Sequence, residues 1–193
     1  MSTVRFEISM SLDGYVTAAG VRADEPMGDG GQQLHEWAFG DDERSLAVLG
    51  ESQGTVGANI AGRRTYDTSI PWWGADGPGG ALRTPTFIVS HRGPEDVPDG
   101  GVYTFATSPE EALTGAIAAA GDKDVEIFSA DIGGQLLRAG RINEIRIHLV
   151  PVLFGAGTRL FDDIGDEHIA LEIIGVVEGS TATHLRYAVI ESS

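Results

Sequence analysis

Short apolar runs alternate with segments of helical character along most of this chain, and that alternation limits the fold more than any other feature. The runs at 4–10, 55–61, 86–90, 102–105 and 125–128 read as strands. Between them, 41–49 reads as a helix with an acidic first turn, and 63–69 as a short helix ended by Pro71. Ser108 caps a helix that runs to residue 120, with Glu110 and Glu111 in its first turn. A further helix spans 131–140 and stops at Gly140. The run 142–153 suits a central strand. Two more strands, 168–177 and 181–190, meet at Glu178-Gly179-Ser180 as a hairpin. Residues 15–33 and 73–85 are rich in glycine and read as loops. Strands separated by helices pair in parallel, because a crossover helix carries the chain back across the sheet. The pattern therefore predicts a single α/β domain over 1–193. It has three layers: a mostly parallel central sheet, helices on both faces, and a C-terminal antiparallel hairpin.

Composition removes several classes of function. The chain has no cysteine, so disulfides, thiolate metal sites and cysteine nucleophiles are excluded. The histidines, at 35, 91, 148, 168 and 184, show no close metal-ligand spacing, and His148 and His184 fall on strands and read as structural. No metal is expected. Thirteen cationic residues stand against 29 acidic ones, a net charge of −16. Such a chain is repelled by nucleic-acid backbones and by anionic lipid surfaces. No apolar run approaches the roughly 18 residues of a membrane span, and residues 1–10 lack a signal-peptide pattern. The expectation is a cytoplasmic protein with a small-molecule partner.

In an open parallel sheet, ligands bind beyond the carboxyl ends of the strands, so the residues just after each strand matter most. After 55–61 comes Gly62-Arg63-Arg64-Thr65. A glycine at the exit, two arginines and a helix start suit a phosphate cradle, or equally a helix start with two solvated arginines. After 86–90 the chain presents Ser90-His91-Arg92, a second basic cluster or an ordinary loop. After 125–128 comes Ser129-Ala130-Asp131-Ile132-Gly133-Gly134. Its small residues can admit a pyrophosphate, while Asp131 also reads as a helix N-cap. After the first strand, Asp13 precedes Gly14. Either it makes a plain turn, or its carboxylate sits at the ligand edge and orients or protonates a substrate.

In this order the clusters resemble the dihydrofolate reductase-like superfamily. The branch they resemble most is the reductase domain of the bifunctional riboflavin-biosynthesis deaminase/reductase, in stand-alone form. The most specific match is the run from Leu136-Leu137-Arg138-Ala139-Gly140 through Asn143-Glu144 to Pro151 and Gly155-Ala156-Gly157-Thr158-Arg159. Ser11-Leu12-Asp13-Gly14 and Gly62-Arg63-Arg64-Thr65-Tyr66 also match. The resemblance implies a reductase resembling 5-amino-6-(5-phosphoribosylamino)uracil reductase, with NADPH lying across the carboxyl edge of the sheet. Arg63, Arg64 and Thr65 would hold its phosphates, with Gly62 at the turn. Ser90, His91 and Arg92 would lie near the adenosine 2′-phosphate. Ser129 to Gly134 would face the pyrophosphate, and Asp13 the nicotinamide and substrate. The branch also implies a homodimer. Where the family often carries a glycine pair, this chain has Phe128-Ser129. That departure suits a rival reading, a non-catalytic ligand-binding protein on the same fold.

Overall fold

The structure is a computed structural model, and it describes residues 2–93, 97–162 and 164–190. Among the described residues there are ten strands: β1 (Val4–Ser11), β2 (Tyr15–Ala18), β3 (Val56–Gly62), β4 (Thr86–Val89), β5 (Tyr103–Ala106), β6 (Asp124–Ile127), β7 (Glu144–Val150), β8 (Gly157–Arg159), β9 (Leu171–Glu178) and β10 (Thr183–Val189). The α-helices are α1 (Glu36–Phe39), α2 (Glu43–Thr55), α3 (Arg63–Trp73), α4 (Pro109–Ala120) and α5 (Ala130–Arg138). Eight strands form one sheet in the order β5-β4-β3-β6-β1-β7-β10-β9. The first six are parallel, and β10 and β9 close the sheet as an antiparallel pair. The expected architecture is therefore present: three layers, with α4 and α5 on one face and α1, α2 and α3 on the other. Among the described residues, no helix is long and apolar enough to cross a membrane.

Local signals explain most element ends. Ser108 accepts a hydrogen bond from Glu111 N–H at 3.2 Å and starts α4. Gly140 takes a left-handed φ of 65° just past α5, where other residues pay a steric cost. Four boundaries differ from expectation. The helix expected at 41–49 runs on to Thr55, whose hydroxyl donates to Glu51 and Ser52 carbonyls instead of opening the next strand. The helix expected to end at Pro71 passes through it to Trp73. A proline this near the helix end costs one backbone hydrogen bond, and its exposure leaves the freed carbonyl to water. The strand expected over 142–153 stops at Val150, just before Pro151. The loop read at 15–33 begins with β2, which pairs with the short β8.

The two faces of the sheet differ in chemistry. Val4, Phe6, Ile60, Phe87, Val125, Ile127, Ile145 and Ile147 pack under α4 and α5 as the main apolar core. Gly133 of α5 lies against this core. A Cβ there would sit 2.3 Å from Cζ of Phe6, so only glycine lets the helix approach this closely. The opposite face alternates with the first and is polar along β1, β6 and β7, carrying Arg5, Glu7, Ser9, Glu126, Glu144, Arg146 and His148. A solvated face would be the ordinary consequence of such alternation. Here α2 and α1 cover it. Arg5 is fully buried, and its guanidinium donates to Ser52 O at 3.0 Å, Ser52 Oγ at 2.7 Å and Thr55 Oγ1 at 2.9 Å. It also pairs with Glu126 at 3.1 Å and Asp124 at 3.4 Å. Its Nε lies 3.2 Å from Glu7 Oε2 without hydrogen-bond alignment.

Candidate active site

A cleft of about 1580 Å³ opens beyond the carboxyl ends of β3, β4 and β6 and continues under α1 and α2. Single small-molecule sites occupy about 300–1,000 Å³, so this volume accommodates two ligands side by side. The residues at 62–65, 90–92 and 129–132 all line it, so the three strand exits converge on one space. Gly133 and Gly134 do not. Both are buried along α5 and away from the cleft, and the expected role of Gly133 at a pyrophosphate is corrected to helix–sheet packing against Phe6.

The first wall is made of two helix starts. Gly62 precedes α3 and Ser129 precedes α5, and no side chain caps either helix. Uncapped N–H groups at the positive ends of two helices favour an anion between them. Ser129 links the two. Its Oγ accepts from Gly62 N–H at 2.8 Å and shares a 2.8 Å hydrogen bond with Thr65 Oγ1. Asp131 is not the cap; it sits in the first turn of α5 and accepts from Gln135 Nε2 at 3.1 Å. Phe128 lines the cleft beside this wall and packs edge-on against Trp73 with centroids 5.7 Å apart.

Arginines flank this anion position. Arg63 pairs with Asp67 at 2.6 Å and reaches Ser90 Oγ at 3.5 Å. Arg64 donates to Thr158 Oγ1 at 3.2 Å from the opposite rim. Ser90 builds the next turn by donating to Arg92 O at 2.9 Å and accepting from Arg92 N–H at 3.2 Å, which leaves His91 and Arg92 exposed. These donors and positive helix ends fit the phosphates of a dinucleotide, and a nicotinamide cofactor bound there would supply a transferable hydride.

The inner part of the cleft was not foreseen. It is lined by Glu7, Ser9, His35, Trp37, Asn59, Glu126 and His148. Glu7 and Glu126, on neighbouring strands, compete for the single Ser52 hydroxyl proton, with Oγ at 3.0 and 3.2 Å. Burial and the adjacent Glu7 charge push Glu126 up to about 7. Burial acts on Glu7 as well, but His148, Arg5 and Arg146 hold it below the usual carboxylate value. Burial also lowers His35. The alternation of charged residues in β1 was the available signal, but alternation alone also describes a strand with one wet face.

Asp13 is not in the cleft. Its carboxylate accepts from Ser11 Oγ at 2.6 Å, Gly155 N–H at 2.7 Å and Phe154 N–H at 3.1 Å. The Ser11 hydroxyl and these amides hold its pKa at about 2. The expectation of a substrate-facing carboxylate is therefore corrected: Asp13 ties the end of β1 to the loop after β7. Replacing Asp13 by Ala should lower the melting temperature on the order of 5 °C, because two backbone N–H groups lose an ionised acceptor. Thermal denaturation followed by circular dichroism checks this; a variant with full thermal stability would show that the carboxylate does not tie these segments together.

The fold and this site define a dihydrofolate reductase-like protein. A family model described as the RibD C-terminal domain matches residues 2–185, and the chain belongs to that family. Solved structures agree in fold. A protein named for riboflavin biosynthesis from Shewanella sp. PV-4 superposes with a TM-score of 0.70 at 20% identity, covering 99% of this chain and 100% of that one. A pyrimidine reductase-like protein from Corynebacterium diphtheriae gives 0.65 at 15% identity, covering 99% and 93%. The Saccharomyces cerevisiae riboflavin biosynthesis reductase Rib7 gives 0.63 at 14% identity, covering 98% and 90%. No curated protein matches the sequence.

Proposed function

We propose that this protein is an NADPH-dependent reductase that delivers hydride to the C=N or C=O carbon of a small, phosphorylated substrate, as a pyrimidine reductase of riboflavin biosynthesis does. The observation that carries this reading is the pair of uncapped helix starts, α3 and α5, facing one cleft between Arg63, Arg64 and Arg92. The cleft's remaining volume, beside Trp37 and Glu7, is the substrate's place. Titration with NADPH, followed by nicotinamide fluorescence, tests the reading. No binding at millimolar cofactor would sink it.

NADPH should bind more tightly than NADH, because His91 and Arg92, exposed at the cleft rim, offer donors to a 2′-phosphate. Replacing Arg92 or Arg64 by Ala should weaken NADPH binding by about 1–3 kcal/mol, the worth of a hydrogen bond to a charged group. For Arg92→Ala NADH should lose less, whereas Arg64→Ala should weaken both cofactors through their shared phosphates. An equal loss for both cofactors in Arg92→Ala would show that Arg92 does not read the 2′-phosphate.

One observation favours a second reading, a ligand-binding protein without turnover. Ser129 Oγ already occupies the Gly62 N–H that a phosphate oxygen would use. Under that reading NADPH binds weakly and no C=N or C=O compound is reduced.

The same protein is proposed to be a homodimer. Strand β9 is the edge of the sheet and exposes Leu171, Ile173, Ile174 and Val176, with Ile173 68% exposed. An uncovered apolar edge strand pairs readily with another chain. Light scattering should give about twice 20.3 kDa, and Ile173→Lys should return the mass to 20.3 kDa. A wild-type mass of 20.3 kDa at micromolar concentration excludes the dimer.

A further inference from the structure

Behind the inner cleft, β1, β7 and β10 bring Glu7, His148 and His184 together beneath α2. Glu7 Oε1 lies 3.3 Å from His148 Nε2. His148 Nδ1 and His184 Nδ1 share a 2.8 Å hydrogen bond. His184 Nε2 lies 3.0 Å from Ser45 Oγ, and Ser45 donates to Asp42 Oδ2 at 2.6 Å. Both imidazoles are almost fully buried. The Trp37 ring covers His148 at 4.2 Å and is itself held by a 3.0 Å hydrogen bond to Ser9. Glu7 and His148 line the cleft; His184 and Ser45 do not.

The protons in this chain can be placed by counting donors. The Ser45 hydroxyl and backbone amides hold the Asp42 carboxyl below the usual range, so it accepts only. The single Ser45 proton is directed at Asp42, so Ser45 Oγ must accept from His184 Nε2–H. Burial and the neighbouring His148 hold His184 down to about 4, so it is neutral and its Nδ1 carries a lone pair. His148 must then supply the proton on its own Nδ1. The opposite tautomers would set a lone pair of His184 Nε2 against one of Ser45 Oγ. One proton remains for the contact between Glu7 and His148 Nε2. It lies on the imidazole, facing a carboxylate, or on the carboxyl, facing a bare Nε2.

We propose that the Glu7–His148 pair, at the cleft wall, is the proton donor of the cleft, with His184, Ser45 and Asp42 holding His148 in the tautomer whose Nε2 faces Glu7. The proposal rests on the reductase reading given above. A reduced nicotinamide held in the cleft would supply hydride for the new C–H bond and be left oxidised, and the π-electron pair of the C=N or C=O group would move to nitrogen or oxygen. The shared proton then forms the N–H or O–H bond, leaving carboxylate and neutral imidazole with lone pairs opposed at 3.3 Å. That repulsion favours taking a proton back from water when the product leaves. Arg5, 3.2 Å from Glu7, and Arg146, 3.8 Å away, oppose over-tight retention. The other charged or titratable groups around the pair are Glu126 on β6, Glu144 on β7, Arg186 on β10, His35 before α1, and Glu51 on α2.

Histidine nitrogen NMR on the cofactor-free protein tests the proton placement. His184 should appear as the Nε2–H tautomer and His148 with a protonated Nδ1, and Ser45→Ala should release His184 into mixed tautomers. Ser45→Thr should restore the wild-type pattern. With NADPH and a cyclic imine such as 1-pyrroline as probe, Glu7→Gln should lower turnover roughly 10²-fold or more at unchanged NADPH affinity. Ser45→Ala should lower it less, with rescue by Ser45→Thr. A His148 ring found with a bare Nδ1, or Glu7→Gln turnover at the wild-type rate, overturns the proposal. Failure to bind NADPH would overturn the reductase reading instead, and the NMR pattern would still decide where the proton resides.

Discussion

Replacing Arg5 by Met should destabilise the protein by about 3–5 kcal/mol, the loss expected when one partner of a buried ionic cluster is removed. Methionine fills much of the space of the arginine stem, so the loss is mainly electrostatic. Glu7 and Glu126 would remain on adjacent strands with no cation between them, and Ser52 O and Thr55 Oγ1 would lose a charged donor. Against a typical total stability of about 5–15 kcal/mol, the variant should unfold at much lower urea or fail to accumulate as folded protein. Urea denaturation at pH 7 measures this. A loss under about 1 kcal/mol would mean that the guanidinium is not what holds the polar layer together.

A second variant, Glu126→Gln, should gain stability relative to wild type as pH rises. Burial and Glu7 raise the Glu126 pKa from 4.5 to about 7 in the folded protein. The folded state therefore holds this proton more tightly than the unfolded chain. Its stabilising contribution is complete below about pH 4.5 and is lost as pH rises through 7. Glutamine imitates the protonated carboxyl at every pH. The stability difference between variant and wild type should thus grow by about 3 kcal/mol from pH 4.5 to pH 8. His184 works in the other direction. Its pKa falls from 6.5 to about 4, so its contribution is present above 6.5 and lost as pH drops toward 4. In wild type the Glu126 slope opposes that of His184; in Glu126→Gln the Glu126 slope is gone and those of His184 and His35 remain. Urea midpoints measured across this range check the sign. A difference independent of pH would mean that Glu126 is ionised throughout. The two variants are also linked: Glu126→Gln should recover part of the Arg5→Met loss, because it removes one of the charges left unpaired.

Much of the cleft wall at the strand exits was legible in the sequence. Gly62-Arg63-Arg64-Thr65, Ser90-His91-Arg92 and Ser129-Ala130-Asp131-Ile132 each lie at a strand exit, and a parallel α/β sheet brings such exits to one edge. What these residues need from the chain is local: a turn, a helix start, a short spacing. Asp13 was equally local in appearance, yet its partners, Phe154 and Gly155, lie far along the chain. Gly133 resembled a phosphate-loop glycine until Phe6 was seen against it.

The inner site shows the limit most directly. Arg5, Glu7 and Ser9 alternate with Val4, Phe6 and Ile8, and the same period describes a strand with one face in water. Nothing within a few residues says that α2 will cover that face, that Glu126 and His148 will stand beside Glu7, or that Ser45 will reach His184. Turns, caps, helix starts and the order of strands follow from forces acting between near neighbours, and the sequence by itself determined those. Which polar face becomes buried, which charges then meet, and how far their proton affinities move depend on strand register and helix docking. Those contacts join residues distant in the chain, so only the tertiary structure decided them.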